Sequence, residues 1–117
     1  MDIKHVAFIM YPVTDMARAI AFYRDGLGLR PGEFTGDPWF EFEVGGTTFG
    51  IGNFEQIGTA GTAQSLALEV DDIAAARAEL RTRGIEASEP HELPACWVSA
   101  LKDPDGNGVW LHQRKSG

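Results

Sequence analysis

Cysteine is almost absent from the chain, with Cys96 alone among 117 residues. A single thiol excludes an internal disulfide framework and any zinc site built on paired cysteines. Long apolar runs are lacking too: the longest, Val6 to Val13, falls well short of the roughly 20 residues that cross a bilayer. No cationic start with a small-residue cleavage site precedes it, so the expected location is the cytoplasm, away from membranes. Basic residues are scarce, at 10 Lys and Arg against 17 Asp and Glu. The resulting net charge of −7 repels phosphate backbones and excludes nucleic acid as an expected partner. Proline numbers only 6, and the 14 glycines follow no period, which excludes collagen-like and low-complexity chains. What remains is an ordinary globular composition, 44% hydrophobic and 23% charged. A chain of this size buries about two-thirds of its unfolded surface, enough for one domain.

Internal repetition is the most informative positive feature. At an offset of 57, Ile9 falls on Leu66, Tyr11 on Leu68, Val13 on Val70, Asp15 on Asp72, Ala19 on Ala76 and Arg24 on Arg81. Towards the end of each copy the offset becomes 60, placing Gly46 on Gly106, Phe49 on Val109 and Ile51 on Leu111. Two copies of this length indicate a duplicated half-domain, because solenoid units are shorter and more numerous. Each copy reads strand, helix, strand, strand, strand.

In the first copy, Ile3–Tyr11 is a predicted strand, and Thr14 or Asp15 caps a helix that Gly26 and Gly28 stop. Arg30–Thr35, Trp39–Val44 and Thr47–Gly52 follow as strands, the last two joined by the hairpin turn Gly45-Gly46. In the second copy, Gln64–Val70 is a strand, Asp71 caps a helix, and Gly84 ends it in a left-handed cap. Ile85–Glu89, Cys96–Lys102 and Gly108–Gln113 complete it. The expected fold class is α+β. Module 1 covers about residues 1–53, a polar linker 54–63, and module 2 residues 64–117.

Hairpin register assigns side chains to faces. A Gly45-Gly46 turn pairs Val44 with Thr47, Phe42 with Phe49 and Phe40 with Ile51 on an apolar, helix-covered face. Glu43 with Thr48, Glu41 with Gly50 and Trp39 with Gly52 take the opposite, ligand-side face. Treating Pro104-Asp105 as the second turn pairs Ser99 with Trp110 and Trp97 with His112 on that ligand side, and puts Cys96 in the core. Alternation adds Phe8, Met10, Ser65, Ala67 and Glu69 to the ligand side. All three tryptophans are thereby expected on one face with Glu41, Glu43 and Glu69.

Paired βαβββ modules, with Val13-Thr14-Asp15, Ala21-Phe22-Tyr23, Leu27-Gly28-Leu29 and Asp103-Pro104-Asp105-Gly106-Asn107 in this order, resemble the vicinal oxygen chelate superfamily. That superfamily includes glyoxalase I, extradiol dioxygenases and bleomycin-resistance proteins. The resemblance covers nearly the whole chain and implies curved mixed sheets forming a concave cleft, in a homodimer. Metal-dependent members carry ligands on the first and last strands of each module. Those positions correspond here to Phe8, Gly50, Ser65 and Trp110, none of which suits a divalent transition metal. No metal and no cofactor are expected at those positions.

The remaining candidates sit on the ligand-side face. Glu41 and Glu43 can hold a cation, act as general bases or face solvent. Trp39, Trp97 and Trp110 either stack against a planar or cationic ligand or close a dimer interface. His112 is the candidate titrating group. His91-Glu92 lacks the second histidine of a zinc-protease motif, since Ala95 stands there. The expected function is metal-free binding of a small, cationic or planar aromatic ligand through Phe8, Met10, Trp39, Glu41, Glu43, Ser65, Trp97, Ser99, Trp110 and His112, in the manner of bleomycin-resistance proteins. The alternative is a lyase, isomerase or dioxygenase with a displaced metal site, for which Glu41 and His112 are the catalytic candidates.

Overall fold

The computed structural model describes residues 1–116, and one element order occurs twice along it. The first run is β1 (Ile9–Pro12), α1 (Met16–Ile20) continuing into a π-helical turn (Ala21–Gly26), β2 (Arg30–Thr35), β3 (Trp39–Val44) and β4 (Thr47–Gly52). The second is β5 (Leu66–Glu69), α2 (Ile73–Thr82), β6 (His91–Glu92), β7 (Cys96–Lys102) and β8 (Gly108–Arg114). The chain divides into two units, Met1–Gly61 and Thr62–Gly117, called modules 1 and 2 below. Each holds a four-stranded mixed sheet, ordered β1-β4-β3-β2 and β5-β8-β7-β6.

The repeat is legible in the register. β1 runs parallel to β4 with Ile9 beside Phe49, and β5 runs parallel to β8 with Leu66 beside Val109. The helix caps are equivalent as well: Asp15 accepts from the Arg18 amide at 3.1 Å, and Asp72 from the Ala75 amide at 3.1 Å. Asp72 takes the capping place expected of Asp71, because it is the residue in extended backbone immediately before the first helical turn.

One face of each sheet is covered by its helix. In module 1, Tyr11, Tyr23, Phe42 and Phe49 are at most 1% exposed. Tyr11 meets Phe49 edge-on and Tyr23 meets it tilted, both with centroids 5.1 Å apart, while Phe42 stacks on Phe49 at 6.3 Å. The π-helical turn, in which the Leu27 amide reaches back to the Phe22 carbonyl at 2.9 Å, brings Tyr23 into this cluster. In module 2, Leu66, Ile73, Leu80, Leu101, Val109 and Leu111 form the equivalent core.

Two predicted strands differ from those observed. Residues 3–8 are not in a strand, and Ile3 and Val6 are 77% and 68% exposed. β4 explains residues 3–6: it begins at Thr47, two residues before the Phe49 that pairs with Ile9, so residues before Ala7 run past its start into the register of the Gly45-Gly46 turn. Residues 85–89 also form no strand. Ser88 follows β7 by donating its amide to the Ala100 carbonyl at 2.8 Å, but its hydroxyl, rather than its carbonyl, accepts from the Ala100 amide. The Ser88 carbonyl is taken by the Ser99 hydroxyl at 2.6 Å, and Pro90 has no N–H to continue a ladder.

Candidate functional site

Opposite the helix, each sheet presents an open face. In module 1 the hairpin register is as predicted, with Trp39 beside Gly52, Glu41 beside Gly50 and Glu43 beside Thr48. Trp39 dominates this face. A Cβ placed on Gly50 would stand 2.2 Å and 2.3 Å from two atoms of the indole ring, so the ring lies directly over Gly50. Its Nε1 donates to Glu41 Oε2 at 2.8 Å. Phe8 meets it edge-on at 5.4 Å and Phe54 at 6.2 Å. Phe8 and Met10 stay 45% and 41% exposed beside it. Glu43, further along, accepts from the Thr48 hydroxyl at 2.8 Å. The face is an aromatic platform edged by two carboxylates.

In module 2 the register departs from the prediction by one residue. Ala100 pairs with Trp110, Val98 with His112 and Cys96 with Arg114, while Ser99 pairs with Leu111 and Trp97 with Gln113. Trp97 and Ser99 therefore lie on the helix side, and Cys96 lies on the open face. Ser99 is 1% exposed, Gln113 accepts from the first amide of α2 at 2.8 Å, and the ammonium of Lys115 stands 5.5 Å above the Trp97 ring. The cause is the loop. Asp103 Oδ1 accepts from the amides of both Asp105 and Asn107, at 2.9 Å each, and Asn107 donates its side-chain amide to Oδ2. This closes a five-residue loop between the paired Lys102 and Gly108, where a two-residue turn was expected. An odd change in loop length transfers alternate residues to the other face.

The open face of module 2 thus carries Ala67 and Glu69 from β5, with Ser65 just before that strand, Trp110 and His112 from β8, and Cys96, Val98 and Ala100 from β7. Trp110 is 38% exposed, and its Nε1 donates to the Gln64 carbonyl at 3.2 Å. The Arg114 amide donates to Glu69 Oε2 at 2.8 Å, and Nδ1 of His112 stands 2.5 Å from Oε1. The Arg114 amide first, and His112 second, hold the Glu69 carboxyl below its ordinary range. An ionised carboxylate only accepts, so His112 donates to it from Nδ1. A cavity of about 280 Å³ opens at the loop end of the module, lined in part by Gln64, Ala100, Lys102, Gly108 and Trp110.

A family model, that of the Glyoxalase/Bleomycin resistance protein/Dioxygenase superfamily, matches residues 3–111. The chain belongs to this superfamily. Among solved structures, this superfamily member is similar to TnmS3, an antibiotic binding protein from Streptomyces sp. CB03234, with 28% identity, a TM-score of 0.86 and coverage of 98% of this chain and 99% of that one. A glyoxalase/bleomycin resistance protein from the same Streptomyces is 27% identical, with a TM-score of 0.78 over 91% of this chain and 97% of that one. A superfamily member from Sphaerobacter thermophilus DSM 20745, 24% identical with a TM-score of 0.80 over 96% and 98% of the two chains, shares the fold. No curated protein matches the chain.

The metal-dependent members of the superfamily set a test of the residues present. At the four corresponding positions stand Phe8, Gly50, Ser65 and Trp110, and over Gly50 lies an indole ring. This donor set does not fit a divalent transition metal. Among the described residues no group of three or more His, Cys, Asp or Glu side chains is arranged to hold one. Glu41 and His112, the candidates for a displaced site, belong to different modules and are bonded to Trp39 and Glu69 respectively. None of the described helices is long and apolar enough to cross a membrane.

Register equivalence adds a feature the sequence reading missed. Gly50 pairs with Glu41 in module 1 as Trp110 pairs with Ala100 in module 2, so Gly50 and Trp110 are counterparts. An indole covers that spot in both modules, from β3 in one and from β8 in the other. The sequence reading also overlooked Phe54, Gln64 and Lys102. Phe54 was assigned to the linker, and only the true length of the second loop places Lys102 on the same face as Trp110.

Proposed function

We propose that this superfamily member binds and sequesters a small planar or cationic molecule without the metal chemistry of its enzymatic relatives. The observation that carries the reading is the indole at the last-strand position of both modules, where metal-dependent members hold a ligand. Trp39 and Trp110 supply stacking surfaces; Phe8 and Met10 extend the first, and Ser65 and His112 add polar contacts beside the second. Glu41 and Glu43 counter positive charge on module 1, where a cation over an indole gains about 0.5–2 kcal/mol. The likeness to an antibiotic binding protein over nearly the whole chain supports the same reading. Homodimer assembly, which the superfamily resemblance implies, is part of the proposal.

The test is calorimetric titration with bleomycin and a panel of planar aromatic antibiotics, followed in parallel by tryptophan fluorescence. At least one is expected to bind at micromolar concentration or better, and Trp39→Ala or Trp110→Ala to weaken it by about tenfold with folding retained. Elemental analysis after exposure to Mn, Fe, Co, Ni and Zn is expected to find no stoichiometric metal. One equivalent per chain, removed by chelator together with a catalytic activity, would overturn the proposal. Sedimentation of the 12.7 kDa chain as a monomer at micromolar concentration would remove the dimer.

A further inference from the structure

The cavity at the loop end of module 2 differs in charge from the acidic platform of module 1. Three features build it. Gly108 permits close approach, since a Cβ there would stand 3.1 Å from Gln64 Cβ, and its amide donates to the Ala63 carbonyl at 2.7 Å. The bond from Trp110 Nε1 to the Gln64 carbonyl uses the only donor of the indole and fixes the ring at the cavity wall. The ammonium of Lys102, beside Gly108 in the ladder, has no hydrogen bond or ion pair among the described residues.

The carboxylates of Asp103 and Glu69 are engaged elsewhere. Asp103, next to Lys102 in sequence, is 5% exposed and bonded within the loop to two backbone amides and the Asn107 side chain. Glu69, on the same face, is engaged by His112 and the Arg114 amide. The cavity lining includes no acid. It offers an indole, a side-chain amide and one cation. At about 280 Å³ it lies just below the roughly 300–1,000 Å³ of pockets for drug-sized molecules, a size that suits a mono- or bicyclic ring.

The geometry points to an aromatic carboxylate as the ligand of this cavity, with the ring against Trp110 and the acid group paired to Lys102. This inference rests on the small-molecule-binding reading and names the chemistry for module 2. The net charge of −7 does not oppose it, because charges beyond about 8 Å are screened at physiological salt while a contact pair is not.

Two isosteric probes test it by calorimetry at physiological salt: a naphthalene carboxylate and a naphthylmethylammonium. The wild-type protein is expected to bind the carboxylate about tenfold more tightly than the ammonium. Lys102→Gln should weaken carboxylate binding about fivefold and abolish the preference, and Lys102→Glu should invert it. Lys102 is exposed, so both variants should fold, which circular dichroism checks. Equal wild-type affinity for the two probes, or a Lys102→Gln protein that binds the carboxylate as wild type does, overturns the inference and leaves the binding reading standing. Failure of both probes, together with failure of bleomycin and the antibiotic panel, overturns the two readings at once.

Discussion

Gly50→Ala is a one-carbon change whose effect follows from the packing of Trp39. The added Cβ would stand 2.2 Å from the nearest indole carbon, where carbon atoms at rest are about 3.5 Å apart. The ring must therefore move by ~1.3 Å, which carries Nε1 beyond hydrogen-bond range of Glu41, now 2.8 Å away, unless the carboxylate follows. A lost hydrogen bond to a charged acceptor costs about 1.5–3 kcal/mol in burial, less where, as here, both groups retain some solvent contact. Overpacking adds about 1–3 kcal/mol, offset by the smaller unfolded-state entropy of Ala. A net loss of about 1–3 kcal/mol is expected from urea denaturation monitored by far-ultraviolet circular dichroism. The decisive comparison is a double-mutant cycle: in the Trp39→Ala background there is no ring to displace, so Gly50→Ala should be neutral or stabilising. Equal cost in the two backgrounds would refute the claim that Trp39 occupies the space above Gly50.

Three further predictions concern single side chains. Asn107→Ala removes a fully buried amide that joins Asp103 to the Ala63 backbone, and should cost about 2–4 kcal/mol in the same urea assay. The depressed Glu69 carboxyl contributes stability that is present above its ordinary pKa of 4.5 and is lost as pH falls through the lower folded value. Melting temperature plotted against pH in that acid range should accordingly flatten in Glu69→Gln. Trp97→Phe should lower stability by about 1 kcal/mol through lost packing and the weakened Lys115 contact, yet leave unchanged the affinity of any ligand found by titration, because the ring is on the helix side.

The register of module 1 was legible because Gly45 and Gly46 both take positive φ, at 54° and 88°, as a two-residue hairpin turn requires. With the turn placed, the alternation of Phe40, Phe42 and Val44 with Trp39, Glu41 and Glu43 fixed both faces. In module 2 the same reasoning failed by one residue, since Pro104-Asp105 resembles a two-residue turn unless Asp103 is recognised as a side-chain acceptor for amides further along the loop. That single error moved Trp97 and Ser99 to the wrong face and Cys96 to the core. The overlong first strand had another cause: Ile3 and Val6 are apolar enough for a strand, but whether they join one depends on how far β4 extends beside them. That the Trp39 ring lies over Gly50 was beyond local pattern altogether, because it depends on where an indole leans after the backbone is placed.

The two indoles reach corresponding spots from different strands, and this bears on how the duplicated halves have diverged. Superposed by register, Trp39 matches Val98 and Gly50 matches Trp110. A column-by-column comparison of the halves would score both places as dissimilar. What the halves share is an occupied volume, and the ancestry of that volume is divided between two positions. Divergent members of such a lineage are therefore better compared by which space over the sheet is filled than by which residue number fills it.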